Sequence, residues 1–352
     1  MSDLLAATAA LVAVPSLSTE EGLIADHVEA LLRRHAWLDV VRVGDNVVAR
    51  TDLGLPDRVV LAGHLDTVPP NGNAVPKIDG TTLWGLGSTD MKGGLAVMID
   101  LAASVRGPNC DLTFVFYVAE EIAREHNGLL ALASAKPGLL DASAAIVCEP
   151  TNCRVEAGCQ GVLKADVAMA GRRAHVARPW TGRNAIHRLA PLLAGVVGWP
   201  GREVQIDGCT YIESLQAVGV SGGVASNVLP DSAVLQLNYR FAPDRDVAAA
   251  SEALREIVAP WLEDGDIFTV ANSAPSAPPS LSHPFLARLV STASGPVSGK
   301  LGWTDVAFFA ERGIPAANFG PGDPELAHTA GEMVTRASLD EARAVLGRLL
   351  GE

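Results

Sequence analysis

Short, strongly apolar runs alternate with amphipathic stretches along the first half of the chain. The clearest run is DLTFVFYVAEE, from Asp111 to Glu121, which is rich in β-branched and aromatic residues. It is too short and too apolar for a surface helix, and it predicts a strand buried on both faces. Similar runs predict buried strands at Arg58–Ala62, Ala144–Cys148 and Ala316–Phe319. Helical patterns lie between them, so we expect an α/β fold with a mainly parallel sheet and helices on both faces.

The pattern of elements changes near Gly161. From 162 to 273 the strand and helix signals follow the order β-α-β-β-α-β, with the second strand predicted over Tyr211–Val220. This order is typical of a ferredoxin-like α+β domain. A Pro- and Ser-rich stretch from Asn272 to Ser282 predicts the return linker. We therefore expect one domain made of residues 1–161 and 274–352, with a smaller domain of residues 162–273 inserted into it.

Composition narrows the functional classes. The 352 residues are 48% hydrophobic and 19% charged, which is typical of a globular protein with a large core. The net charge of −13, without a Lys/Arg-rich block, argues against nucleic acid or an anionic membrane as a partner. The N-terminus lacks the basic start of a secretory signal, and the five cysteines form no CxxC pair. We therefore expect reduced thiols in a cytoplasmic protein.

Polar residues follow each predicted inner strand at the point where it ends. They are two histidines and five carboxylates: His64, Asp66, Asp90, Glu120, Glu121, Glu149 and His328. Loops at the carboxyl ends of parallel strands converge on one crevice. Each residue alone has a plain structural interpretation, such as a surface histidine, a helix N-cap at Asp90 or a loop acid at Glu149. Their occurrence at successive strand ends favours a shared site.

Such a crevice requires cations, because several carboxylates cannot be gathered without compensating charge. Nitrogen and oxygen ligands without a thiolate suit zinc, with cobalt or manganese as alternatives. Two divalent ions balance Asp90, Glu121, Glu149 and one hydroxide, whereas a single ion leaves the pocket strongly anionic. Asp90 suits the bridging position because the glycines around it permit a close approach of the backbone.

Two further acids have separate predicted duties. Asp66 lies two residues beyond His64, on the same side of an extended segment, so it can accept the second imidazole N–H and fix the tautomer. Glu120 adjoins a predicted ligand without needing to be one, and it is placed to take a proton from the attacking water.

The stretches GHLDTVP, GLGSTDMKGGLA, AEE and CEP, with a late histidine after GPG, resemble the dinuclear zinc metallopeptidase and amidohydrolase family. The resemblance covers nearly the whole chain, and it makes the inserted domain a lid that forms dimers. It implies two ions sharing one aspartate, with the ligand sets His64, Asp90 and Glu149 for the first ion and Asp90, Glu121 and His328 for the second. It also implies that Glu120 is the general base and that the Asp90–Met91 peptide is cis.

The inserted domain carries residues expected to recognise the substrate. Arg240 lies in an otherwise apolar strand, where its planar guanidinium suits a substrate carboxylate; a local acid partner is the structural alternative. The resemblance implies that His175 stabilises the tetrahedral oxyanion, typically by reaching across a homodimer made by this domain. It further implies substrate binding by Asn227, Arg240, Arg178 and Thr304.

The stretches HVARPWTGRNAIH, GWTDVAFF and NFGPGDPELAH resemble, more narrowly, the succinyl-diaminopimelate desuccinylase branch of the family in high-GC Gram-positive bacteria. This implies hydrolysis of a small-molecule N-acyl amino acid, with N-succinyl-LL-2,6-diaminopimelate as the expected substrate. Another deacylase, such as an acetylornithine deacetylase, or a carboxypeptidase is the alternative among enzymes. An inactive metal- or peptide-binding relative is the non-enzyme alternative, but it has no need for Glu120. A metallophosphoesterase is expected to use more histidines and aspartates.

Overall fold

The apolar run that begins at Asp111 forms a strand buried along its whole length, Asp111–Tyr117, in a computed structural model that describes residues 3–351. Arg58–His64 pairs with it in parallel, and Asn46–Arg50 pairs with it antiparallel on the other side. Strands with neighbours on both edges and helices on both faces have no side facing water, which explains the continuous apolar run.

The strands are numbered in chain order. They are β1 (Asp39–Val43), β2 (Asn46–Arg50), β3 (Arg58–His64), β4 (Lys77–Asp79), β5 (Thr82–Trp84), β6 (Asp111–Tyr117), β7 (Ala144–Val147), β8 (Glu156–Ala157), β9 (Gly161–Ala170), β10 (Ala174–His175), β11 (Glu203–Ile206), β12 (Cys209–Ile212), β13 (Ser214–Gly222), β14 (Val228–Leu229), β15 (Ser232–Phe241), β16 (Ile267–Ala274), β17 (Ser298–Gly299), β18 (Ala316–Asn318) and β19 (Met333–Thr335).

The α-helices are numbered in the same way. They are α1 (Leu4–Val12), α2 (Gly22–Leu32), α3 (Gly93–Ser104), α4 (Gly128–Ala135), α5 (Ala185–Gly198), α6 (Val247–Val258), α7 (Pro284–Thr292), α8 (Val306–Ala310) and α9 (Arg336–Leu350). No helix within residues 3–351 combines the length and apolarity needed to cross a membrane.

The large sheet has the strand order β1-β2-β6-β3-β7-β18-β8-β17. Its four central strands, β6, β3, β7 and β18, are parallel, and antiparallel pairs flank them. Alternate residues of the central strands, such as Leu61 and Phe114, share a core with α1, α3 and α9. On the sheet, α8 packs against β7 and β18. The predicted mainly parallel α/β sheet is confirmed, and the carboxyl ends of β3, β6 and β7 lie side by side.

A second sheet has four antiparallel strands in the order β13-β15-β9-β16. Helices α5 and α6 pack on one face of it, and alternate residues of β9 and β15 fill the core between them. With β9, α5, β13, β15, α6 and β16 in chain order, this is the predicted ferredoxin-like arrangement.

The structure departs from the predicted elements around Glu213. The sequence predicts one strand over Tyr211–Val220, but β12 ends at Ile212 and β13 begins at Ser214. Between them the Glu213 carboxylate is buried and accepts hydrogen bonds from Arg202, Tyr239 and the Ala242 amide. These long-range contacts fix the break, and β11 folds back on β12 as a hairpin that the pattern did not predict.

The chain forms two compact units. The first comprises the described parts of Met1–Gly158, Pro279–Ser298 and Thr304–Glu352, and contains the large sheet. The second comprises Cys159–Pro278 with the short return Gly299–Trp303. The predicted boundaries at 161/162 and 273/274, and the catalytic and lid roles attached to them, stay predictions.

Candidate metal centre

His64 is the last residue of β3, and its side chain is almost completely buried. Its Nε2 lies 3.0 Å from Asp90 Oδ1 and 4.0 Å from Glu149 Oε1. Its Nδ1 lies 3.0 Å from the backbone carbonyl oxygen of Asp66. This contact fixes the ring, because Nδ1–H donates to the carbonyl and leaves Nε2 facing the carboxylates.

Asp90 lies in the irregular turn Ser88–Lys92 that precedes α3, and the Asp90–Met91 peptide is cis, as the family resemblance implies. The turn starts at Gly87, whose φ of 74° favours glycine. Farther on, a Cβ added at Gly94 would lie 2.3 Å from the Cys148 carbonyl oxygen, so only glycine permits the helix to approach β7 so closely. The sequence thereby brings the Asp90 carboxylate to the ends of β3 and β7.

The two oxygens of Asp90 face different histidines. Oδ1 lies 3.0 Å from His64 Nε2, and Oδ2 lies 3.4 Å from His328 Nε2. His328 Nε2 also lies 2.9 Å from Glu121 Oε1. The predicted ligands thus form two groups around one shared aspartate, one containing His64 and Glu149 and the other containing His328 and Glu121.

Electrostatics favour positive charge at both histidines. Hydrogen bonds to Asp90 and Glu121 raise the pKa of His328 to about 10, against the opposing effect of burial. Burial lowers the pKa of His64, but the hydrogen bonds to Asp66 and Asp90 outweigh it and raise that pKa well above its usual value. The carboxylates are therefore in excess, and the site attracts cations.

The Asp66 carboxylate supports the backbone that carries the two adjacent acids. Its Oδ1 accepts the Glu120 amide at 3.1 Å, and its Oδ2 accepts the Glu121 amide at 3.1 Å and the Ser18 hydroxyl at 2.7 Å. The predicted contact with His64 is looser, since Asp66 Oδ1 lies 3.5 Å from Nδ1 and the carbonyl oxygen is nearer. Asp66 therefore orients the ring mainly through its backbone, while its carboxylate holds residues 120 and 121.

Glu120 lies among other acids. Burial raises its pKa well above the usual value, His64 opposes this, and the nearby carboxylates of Glu149, Asp305 and Glu121 raise it further. A raised pKa favours the protonated carboxyl, and nearby cations would draw that pKa back down.

The donor set fits a divalent metal. Ligand atoms of His64, Asp90 and Glu121 all lie within 4.8 Å of one another. Imidazole nitrogens and carboxylate oxygens without a thiolate suit zinc, manganese or cobalt. His328 Nε2 lies 2.9 Å from Glu121 Oε1, and Glu149 Oε1 lies 4.0 Å from His64 Nε2, so both residues adjoin this cluster.

Sequence reasoning missed two buried carboxylates behind the site. Glu21 Oε1 accepts the Ala119 amide at 3.0 Å, next to the acid pair. Glu332 accepts backbone amides of the turn that carries Asp90. Neither has a local signal, since Glu21 resembles a helix-start acid and Glu332 a loop acid, and only the folded chain brings them to these turns.

In the second unit, His175 lies on the short strand β10, and Asn227 immediately precedes its partner strand β14. β10 pairs with β14, and the Val176 amide donates to the Asn227 carbonyl oxygen at 3.1 Å. His175 Nδ1 accepts the Ala177 amide at 3.0 Å, so its proton resides on Nε2. Arg178 closes the same turn through a hydrogen bond from its amide to the His175 carbonyl oxygen. The side chains of His175, Asn227 and Arg178 are all exposed.

Arg240 lies apart from this group. It is near the end of β15, paired with Ser214 and Val162, and it is half-buried. β15 begins at Ser232, beside β14, so eight residues (240 − 232) or roughly 27 Å of strand separate that end from Arg240. Within residues 3–351 no carboxylate pairs with its guanidinium, so the structural alternative of a local acid is not supported.

Thr304 lies in the first unit and is buried. Its hydroxyl donates to Asn318 Oδ1 at 2.8 Å, at the end of β18. The structure therefore gives this predicted substrate-binding residue a partner inside the protein.

Two relatives match this chain over nearly its full length. A putative succinyl-diaminopimelate desuccinylase of Mycobacterium tuberculosis is 48% identical over 347 residues, which covers 98% of this chain and 97% of the relative. The succinyl-diaminopimelate desuccinylase of Corynebacterium glutamicum is 40% identical over 358 residues, covering 100% of this chain and 97% of the relative.

Among solved structures, an aminopeptidase of Bacillus cereus has the same fold. It superimposes with a TM-score of 0.79 at 19% identity, covering 99% of this chain and 97% of the other. The model of peptidase family M20/M25/M40 matches residues 60–352, which include all five predicted metal ligands. This confirms the resemblance to a family of metal-dependent hydrolases, and the chain belongs to peptidase family M20/M25/M40.

Proposed function

We propose that this chain hydrolyses the amide bond of N-succinyl-LL-2,6-diaminopimelate, giving succinate and LL-2,6-diaminopimelate for lysine and peptidoglycan precursor synthesis. The observation that carries the proposal is that two desuccinylase relatives align with nearly the whole chain, at 48% and 40% sequence identity. A cytoplasmic location is part of the same proposal, and the buried cysteines, which form no disulfide within residues 3–351, agree with it.

The proposed metal centre holds two zinc ions, with cobalt or manganese as substitutes. His64, Asp90 and Glu149 are the proposed ligands of one ion, and Asp90, Glu121 and His328 those of the other. The support is the division of the Asp90 carboxylate, whose two oxygens face two different histidines. Ions bound there would polarise the amide carbonyl and make the attacking water more acidic.

Glu120 is the proposed general base and acid. It takes the proton of the attacking water and later gives that proton to the nitrogen of the leaving amine. Glu120 adjoins Glu121, and Asp66 accepts hydrogen bonds from the backbone amides of both residues. This supports the role, because a general base must be held in a fixed position relative to the reacting atoms. Asp66 is thus a positioning residue for both acids and for the His64 ring.

The second unit is proposed to supply the remaining contacts. His175 has the Nε2–H that an oxyanion would accept, because its Nδ1 is engaged by the Ala177 amide. Arg240 offers a substrate carboxylate a guanidinium that pairs with no carboxylate within residues 3–351. Asn227 and Arg178 lie near His175 in the second unit and are proposed to bind the substrate with it. Thr304 of the first unit is a further proposed substrate-binding residue.

We propose a homodimer formed through the second unit. The support is the roughly 27 Å of strand between Arg240 and the start of β15, which begins three residues after β14, the strand paired with that of His175. One small substrate is not expected to span that length within one copy. Mixing His175→Ala and Glu120→Gln chains tests this, because each mixed dimer contains one intact composite site and regains turnover. Two inactive variants that stay inactive after mixing and reassembly would argue against shared sites.

The substrate proposal is tested by turnover of the zinc-loaded protein on N-succinyl-LL-2,6-diaminopimelate, N-acetylornithine and a dipeptide. We expect a large preference for the first in kcat/KM. A preference for acetylornithine or for the dipeptide would replace the substrate assignment and leave the metal centre in place.

The role of Glu120 is tested separately. Glu120→Gln should retain both metals, because Glu120 is not a proposed ligand, while kcat falls by about 10²–10⁴. Near wild-type turnover by a variant with full metal content would refute Glu120 as the base.

A further inference from the structure

Glu332 is a buried carboxylate that belongs to no predicted set of site residues. It is 1% exposed and precedes β19, which pairs with β5 in a small three-stranded sheet. Its Oε2 accepts the Gly87 amide at 2.9 Å, and its Oε1 accepts the amides of Thr89 and Asp90 at 3.0 Å each. All three donors belong to the short turn that carries Asp90.

These bonds fix the turn from behind. The Asp90 amide points back to Glu332, while the Asp90 side chain points forward to the two histidines. The Thr89 hydroxyl adds a bond of 2.6 Å to the Met333 carbonyl, so β19 and the turn are joined at two neighbouring residues. A carboxylate that accepts three amides allows the turn little freedom to move, because moving it breaks several charge-assisted hydrogen bonds at once.

We propose that Glu332 is a positioning residue for the metal centre, which sets the Asp90 carboxylate midway between His64 and His328. The proposal rests on Asp90 being the shared ligand in the proposed function. Because Asp90 gives one oxygen to each group, displacing it weakens both metal sites together. Loss of Glu121 or Glu149 would weaken only one.

Glu332→Gln is the informative variant, since it keeps the size of the side chain. An amide has one acceptor oxygen, so its NH₂ group must face either the Gly87 amide or the amides of Thr89 and Asp90. At least one N–H is then left without an acceptor and the turn shifts. Glu332→Ala removes all three acceptor contacts and should have the larger effect.

Asp111→Asn is a matched control. Asp111 is also a buried carboxylate that accepts two backbone amides, those of Leu53 and Leu55, and a hydroxyl, that of Thr51. It lies at the start of β6, the end of the strand away from Glu120 and Glu121. The substitution Asp111→Asn should therefore lower the stability of the fold without affecting the predicted metal ligands.

The test measures zinc affinity and stoichiometry by competition with a chromophoric chelator, on the full chain. For Glu332→Gln we expect both binding steps to weaken about ten- to hundredfold, as for other residues that orient metal ligands. The thermal midpoint of the metal-free protein should fall no further than in Asp111→Asn, which should keep wild-type affinity. If Glu332→Gln does not fold, Glu332→Asp, which retains the charge, should also weaken both zinc-binding steps, by a smaller factor.

Wild-type zinc affinity in Glu332→Gln at both steps would overturn the proposal, as would weakening of one step alone. Equal loss of affinity in Asp111→Asn would also overturn it, because the effect would then be one of general stability. Failure of the proposed function appears differently, as a wild-type protein that binds zinc but does not hydrolyse the succinyl substrate.

Discussion

Replacing Asp66 by asparagine tests how the acid pair is held. The carboxylate is buried and accepts three hydrogen bonds, with Oδ1 serving the Glu120 amide and Oδ2 serving the Glu121 amide and the Ser18 hydroxyl. Asparagine retains one acceptor oxygen. Placed at the Oδ2 position, that oxygen keeps two of the three bonds, so this orientation is favoured, and the NH₂ group then faces the Glu120 amide.

The magnitude follows from that one lost bond. A hydrogen bond to a charged acceptor contributes about 1.5–3 kcal/mol, and a buried donor without a partner costs a similar amount. At about 1.36 kcal/mol per factor of ten, displacing the Glu120 backbone should lower kcat by roughly ten- to hundredfold. The His64 ring should stay in place, because its Nδ1 contacts the carbonyl oxygen of residue 66, which the substitution leaves unchanged. Metal content should therefore stay at the wild-type level.

The assay is succinate release with parallel elemental analysis of the purified variant. Ser18→Ala is the matched control, since it removes one donor to the same carboxylate and leaves both amide contacts; its kcat should stay within about twofold of the wild type. The reasoning is refuted if the asparagine variant turns over at the wild-type rate with full metal content. It is also refuted if metal loss accounts for the whole defect, because Asp66 would then act through the ligands rather than through Glu120.

Three further outcomes follow from the structure. Chelation should abolish turnover and lower the thermal midpoint, and zinc should restore both, since a ligand at 100 times its Kd stabilises by about 2.7 kcal/mol; full activity in metal-free protein would contradict this. Asp266→Asn should destabilise the second unit by about 3 kcal/mol, because it leaves the guanidinium of Arg188 without its buried partner, whose two oxygens lie 2.5 and 2.6 Å from it. Burial raises the pKa of Asp266, but the hydrogen bonds from Arg188 and two backbone amides lower it below its usual value. The stabilisation by the Asp266–Arg188 pair is therefore complete above roughly pH 4, and it is lost as the pH falls through the lower pKa that Asp266 has in the folded protein. Denaturant titrations of the variant should lack this acid-dependent loss of stability. A variant whose stability depends on pH as in the wild type would contradict the assignment. Arg240→Lys should raise KM about tenfold with a smaller effect on kcat, because lysine keeps the charge but not the planar fork, and an unchanged KM would remove Arg240 from the substrate site.

The fold and the inner site residues could be predicted because they depend on patterns that are local in the sequence. Each central strand is a continuous apolar run, and a parallel arrangement brings the residues after each run to one edge of the sheet. His64 ends β3, and Glu121 and Glu149 follow the ends of β6 and β7 within a few residues, so their proximity follows from the topology alone. The position of Asp90 required more, namely the recognition that nearby glycines permit the turn before α3 to approach β7.

The supporting carboxylates could not be predicted, because their partners are backbone amides far away in the sequence. Glu332 lies 242 residues from the Asp90 amide that it accepts, and Glu21 lies 98 residues from Ala119. A backbone amide carries no sequence signal, so an acid that binds one resembles any surface acid until the fold is known. The break at Glu213 was missed because the groups that bind its buried carboxylate, from Arg202, Tyr239 and Ala242, lie elsewhere in the chain. The local pattern shows only apolar neighbours that would continue the strand.

The metal centre therefore has two layers of negative charge, and the outer layer is tolerable only because amides neutralise it. Among the described residues, the carboxylates of Asp66, Glu21 and Glu332 accept hydrogen bonds from six backbone amides and from the Ser18 hydroxyl. Amide dipoles satisfy these carboxylates without adding mobile side chains, and each bond also fixes a turn that carries Asp90, Glu120 or Glu121. The carboxylates of Asp90 and Glu121 face the two histidines instead, so their charge is available to cations. Replacing an outer acid by its amide should accordingly impair geometry at nearly unchanged fold, whereas replacing an inner acid should remove a ligand outright.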